Sequence, residues 1–170
     1  MNGGLTPAPF PMRLPIRSAR GYTFVELLVV VTLLAILASA AMPLVRVSIR
    51  RQKEAELRIA LREMRTAIDR YKDAVDRGVI GGTDVRAGSE GYPPTLEVLV
   101  EGVAMVGDAS GRRFRTLRRI PRDPITGNTD WGLRSYQDSP TSMSWGGQNV
   151  FDVYSKAPGR GLDGTPYREW

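Results

Sequence analysis

One carboxylate sits where a carboxylate is costly. Glu26 lies on the first turn of an apolar run, Phe24 to Val45, that is 22 residues long and otherwise without charge. As a helix that run covers roughly 33 Å, against a bilayer hydrocarbon core of about 30 Å. A lone carboxylate in hydrocarbon costs on the order of a few kcal/mol unless it snorkels or meets a cation. Cutting the chain between Gly21 and Tyr22 would supply a cation, because the new α-amino group stands four residues before Glu26. Two other readings of the run explain less. A plain single-pass anchor gives Glu26 no role. A secretory signal ending at Ala38-Ser39-Ala40 would hold a carboxylate inside its own apolar core, behind a long basic leader.

Other chemistry is scarce. Cysteine and histidine are both absent. That removes the thiol nucleophile, the disulfide, the cysteine metal site, the commonest general base and the commonest zinc ligand. With no phosphate-cradling glycine loop and no acid/base pair to single out, the chain is not expected to be an enzyme. A membrane-anchored periplasmic enzyme or binding module is the alternative of another class. Residues 112–122, RRFRTLRRIPR, place six arginines in eleven positions. Such a run can contact nucleic-acid phosphates. Phe114 is its one aromatic residue, so a solvated face that meets acidic protein surfaces is the preferred reading, and no nucleic-acid partner is expected.

Gly-Tyr-Thr-Phe-Val-Glu at residues 21–26, followed by about twenty apolar residues, resembles the prepilin processing site of type IV pilins and of type II secretion pseudopilins. The resemblance implies cleavage after Gly21 by a membrane-embedded prepilin peptidase and N-methylation of Tyr22, where the family usually has phenylalanine. It also makes Glu26 the glutamate needed for filament assembly. Pro43 matches a proline common in these families, and a proline inside a helix removes a hydrogen bond and crowds the preceding turn, so a kink or local unwinding is expected there. Ala-Ile-Asp-Arg-Tyr-Lys at residues 67–72, Tyr92-Pro93, Leu-Glu-Val-Leu at 96–99 and Ile-Pro-Arg-Asp-Pro at 120–124 resemble the major pseudopilin. Many type IV pilins close their C-terminal loop with a disulfide, and the lack of cysteine shifts the resemblance towards pseudopilins. Major pseudopilins bind calcium in that loop, where this chain offers Asp152, Ser155 and Asp163 as candidate ligands beside Arg160. Calcium takes six to eight oxygens, so three side chains leave much to backbone and water, and no cofactor is expected.

These residues need elements to hold them. Residues 1–21 contain prolines, Arg13, Arg17 and Arg20, and no acid, which reads as a disordered leader to be removed. Without the leader arginines, 21 basic residues face 18 acidic ones, a mild excess that calls for no polyanionic partner. Residues 22–45 form the transmembrane helix, and 46–77 its amphipathic continuation. Leu57, Leu61, Met64, Ile68, Tyr71 and Val75 recur at steps of three and four, flanked by Ala60, Ala67 and Ala74. Charged residues, Glu54 with Arg58 among them, fill the other faces. Gly78 and Gly81-Gly82 end the helix.

Residues 78–170 form the head. A loop comes first, then a helix capped by Thr95. A turn follows at 125–128, then strands over 131–137 and 149–155, and a last extended piece over 167–170. The expected class is α+β: a pilin fold whose long N-terminal helix packs on a small antiparallel sheet. Arginines flank both ends of the span, so charge does not set its orientation. The resemblance implies a single-pass protein of the bacterial inner membrane with its C-terminal domain in the periplasm. Its implied partners are other pseudopilins in a homo-oligomeric filament, the prepilin peptidase and an inner-membrane secretion platform. The same fold serves type IV pilins and minor pilins in adhesion, motility or DNA uptake.

Overall fold

A threonine opens the long helix. The computed structural model describes residues 21–81 and 88–170, apart from the side chains of residues 40–43. Thr23 Oγ1 accepts the Glu26 main-chain N–H at 3.2 Å, and Thr23 O accepts that of Leu27 at 3.0 Å. Thr23 is thus the N-cap of α1, Phe24–Asp76, and Thr-Phe-Val-Glu has the spacing of a capping box. The chain divides into two compact units, Met1–Pro43 and Leu44–Trp170, each taken by itself below.

In the first unit every large apolar side chain from Tyr22 to Leu37 is exposed. Hydroxyls in this stretch bond back to their own helix: Thr32 donates to Leu28 O and Ser39 to Ile36 O, both at 2.7 Å. Neither of these two hydroxyls needs water, which suits a helix long and apolar enough to cross a membrane. The expected leader, residues 1–20, lies outside the described residues. The kink expected at Pro43 falls among residues whose side chains are likewise outside them.

In the second unit the apolar stripe of α1 does what its spacing predicts. Leu57, Leu61, Met64, Ile68 and Tyr71 are buried with Ala60, Ala67 and Ala74, and Val75 is half-buried. Burying one such large side chain contributes roughly 1.5–3 kcal/mol, so this stripe holds the head to its helix. Gly78, at φ 69°, terminates α1: Gly78 N–H bonds Val75 O and Val79 N–H bonds Ala74 O. These are the two bonds of a Schellman motif, and the left-handed residue is glycine because a Cβ is strained there.

The head adds α2 (Leu96–Glu101), β1 (Val103–Ala104), β2 (Arg113–Phe114), β3 (Gly132–Arg134) and β4 (Asp152–Tyr154). β1 pairs with β2 and β3 with β4, both antiparallel, in two separate two-stranded sheets. Leu99, Trp131, Val150 and Val153 complete one core with the α1 stripe. The layout is α+β and pilin-like, with three corrections. The strands expected over 131–137 and 149–155 pair as β3 and β4 over three residues each, and β1–β2 is an added ladder. Thr95 stands at the N-cap of α2, yet its hydroxyl makes no capping bond. Residues 167–169, expected to be extended, form a 3-10 turn in which Tyr167 and Trp170 pack edge to face at 5.2 Å.

Candidate functional site

The residues before α1 are free of structural demands. Residues 21–23 have no regular structure and are exposed. A Cβ added at Gly21 would meet nothing within 4 Å, and its φ lies outside the left-handed region. Nothing in the fold therefore requires glycine at position 21. An outside agent that must fit its backbone closely would require it. The Glu26 side chain is exposed, and its carboxylate has no hydrogen bond or ion pair among the described residues. Its main-chain N–H is spent on Thr23, so the cap orders the first turn and leaves the acid unanswered on the apolar part of α1.

The C-terminal loop shows a different chemistry. Asp152 is clasped by Arg65 at 2.7 Å and Arg134 at 3.2 Å. Asp163 pairs with Arg58 at 2.9 Å and takes the Thr165 N–H. Ser155 Oγ donates to Asp123 at 2.5 Å and accepts the Ala157 N–H at 3.0 Å. Each of the three candidate ligands is held by its own partners, and both carboxylates face arginine. Such a donor set does not fit a hard dication that needs six or more oxygens. Neither added calcium nor a chelator is expected to move the thermal midpoint of the protein, as ligand binding to the folded state would.

Buried polar groups missed in the sequence do the closing instead. Glu54, only 7 % exposed, accepts from Leu162 N–H at 3.0 Å, from Tyr167 OH at 2.9 Å and from Arg50 Nε at 3.2 Å. Burial, the largest cause, pushes the Tyr167 phenol above its ordinary pKa, which keeps it a donor to Glu54. The sequence places Glu54 on a charged outer face beside Arg58, and this is corrected. Arg58 turns to Asp163 and lies over the Trp170 ring at 4.3 Å. Arg65 also donates to the main-chain oxygens of Val153 and Trp170. Glu54, Arg58 and Arg65 of α1 thus hold the loop that a cysteine-containing chain could close covalently. Asp123, fully buried, accepts the N–H groups of Ile125 and Thr126 and builds the turn expected at 125–128. The sequence signal for it is the Asp-Pro step followed by Thr-Gly-Asn.

The arginine run divides in two. Arg112 pairs with Asp108 at 3.0 Å. Arg113 and Arg115 donate to the carbonyl oxygens of Glu101 and Gly102, where α2 ends. Arg118, Arg119 and Arg122 are exposed and have no partner among the described residues.

Residues 16–42 match the prokaryotic N-terminal methylation motif. Neither a curated protein nor a solved structure matches the chain. The N-terminus is thus a type IV pilin-like leader followed by a membrane-anchoring helix, the kind of segment that a prepilin peptidase cuts and that enters filaments. The match covers the segment containing Gly21, Tyr22 and Glu26 and ends before the head begins.

Proposed function

We propose that this chain is a structural pseudopilin of a type II secretion system, close to the major pseudopilin in pattern. Prepilin peptidase cuts it after Gly21 and methylates the amine of Tyr22. The apolar part of α1 anchors it in the bacterial inner membrane with the head in the periplasm. Subunits then leave the bilayer side by side at the secretion platform and build a periplasmic filament that drives protein export. The observation that carries this reading is the lone Glu26 carboxylate on the apolar helix, inside the matched motif. Its desolvation is offset when the terminal amine of a neighbouring subunit docks beside it. The absence of cysteine, with the loop closed by Glu54, Arg58 and Arg65, supports a pseudopilin over a disulfide-closed pilin.

Mass spectrometry of the protein purified from its own cells tests the processing step. The expected N-terminus is N-methyl-Tyr22. A chain beginning at Ala41, or one retaining Arg13 to Arg20, ends the proposal. Genes for a secretin and a secretion ATPase beside this one are expected, and a retraction ATPase in their place would move the assignment to a type IV pilus.

A further inference from the structure

Two charged patches of the head lack partners, and they are opposite in sign. Arg118, Arg119 and Arg122 line a cleft of about 950 Å³ in which Glu63 is the only acid among the described residues. The turn bearing them is clamped: Leu117 N–H bonds Leu99 O at 3.0 Å, and the Trp131 indole bonds Pro121 O at 2.9 Å. Three guanidinium groups therefore stand on a fixed backbone with no hydrogen bond or ion pair among the described residues.

The second patch is on α2. Glu97 and Glu101 are exposed, stand at i and i+4, and have no partner among the described residues. Like charges at that spacing destabilise a helix, and Glu101 also sits at its negative end, where the last turn has no basic residue. The arginines next to it, Arg113 and Arg115, spend their N–H groups on main-chain carbonyls. Glu97 lies in the first turn of α2, where the helix dipole favours an acid, but Glu101 at the other end gains nothing from folding alone.

We infer that the Arg118–Arg122 cleft of one head receives the Glu97 and Glu101 carboxylates of a second copy. The inference rests on the filament reading above. Guanidinium and carboxylate meet in a bidentate fork, which favours a carboxylate partner with defined geometry. Made in one direction only, such a contact is heterologous, and repeated from copy to copy without closing a ring it gives an open polymer of the kind a filament needs. A nucleic acid fits less well, because no aromatic side chain lines the cleft among the described residues for base stacking.

Charge reversal of the full chain in its own cells tests the contact, with sheared filaments as the readout. Glu97→Arg with Glu101→Arg, or Arg118→Glu with Arg119→Glu, is expected to lower filament yield about tenfold or more, because like charges then face each other. All four changes together are expected to restore it to within about threefold by the same complementarity. Leader cleavage is unchanged throughout. Because the chain has no cysteine, Glu97→Cys with Arg119→Cys reports the contact directly: a disulfide ladder is expected from the double variant and from neither single one. Should a reversed head fail to fold, that ladder decides alone. Wild-type filament yield from either reversal, or filaments without a ladder, overturns the contact and leaves the filament reading standing. A wild-type chain that never forms filaments overturns both. Loss of DNA retention by Arg118→Glu with Arg119→Glu, at full filament yield, assigns the cleft to a polyanion and also overturns the contact.

Discussion

Glu26→Ala is expected to leave the leader cut and Tyr22 methylated, and to reduce filament assembly at least about 100-fold. The magnitude follows from a desolvated carboxylate costing on the order of 3 kcal/mol, with each 1.4 kcal/mol worth a factor of ten. The carboxylate is alone on an apolar helix, so it gains most from a subunit that brings a cation. Spacing alone suggests a competing role, since Glu26 stands where a capping box with Thr23 places its acid, although its carboxylate makes no such bond among the described residues. Glu26→Gln separates the two. Glutamine serves at that position of a capping box as well as glutamate does, but it offers no charge to an amine. Assembly is expected to fail with Glu26→Gln as it does with alanine. Thr23→Ala, which removes a cap worth about 1 kcal/mol, is expected to assemble. Filament yield by electron microscopy after shearing, with an immunoblot for leader removal, reads all three variants. Normal filaments from Glu26→Gln would make the residue a cap and take it out of the assembly step.

Gly132→Ala is expected to destabilise the head by about 3 kcal/mol, as overpacking a fixed site does. β3 and β4 pair Gly132 with Tyr154, whose ring lies flat over the glycine. A Cβ built on Gly132 comes within 2.2–2.5 Å of three atoms of that ring. The ring cannot withdraw: Arg134 lies over it at 4.2 Å, its hydroxyl reaches Met143 O at 3.2 Å, and the residue is buried. Backbone strain plays no part, since the φ of Gly132 lies outside the left-handed region. Alanine would otherwise stabilise the chain by about 0.4–1 kcal/mol through the unfolded state, which the clash outweighs. The midpoint of thermal unfolding, followed by tryptophan fluorescence of the full chain in detergent, should fall on the order of 10 °C. Gly81→Ala, whose Cβ would meet among the described residues only Val106 at 3.7 Å, is the matched control and should change little. An unchanged midpoint for Gly132→Ala would mean that Tyr154 does not cover this glycine.

Neighbours along the chain determined the N-terminal half of the protein. The length of the apolar run, the glycine and glutamate around Tyr22, and the stripe from Leu57 to Tyr71 all depend on spacings of a few residues. Helix geometry turns those spacings directly into a face or a span. The matched motif and the buried stripe agree with that reading. The head was legible only in part. The β3–β4 pair and the turn at 125–128 appear where composition places them, while β1 and β2 are too short to announce themselves.

Only the tertiary structure decided which polar groups are buried and which arginines are free. Glu54 looks like one more surface charge until Leu162, 108 residues away, brings its N–H. Asp152 and Asp163 resemble metal ligands until arginines of α1 reach them. A carboxylate's role depends on which distant donors replace its water. Sequence distance carries no record of those donors, so the fold alone selects them.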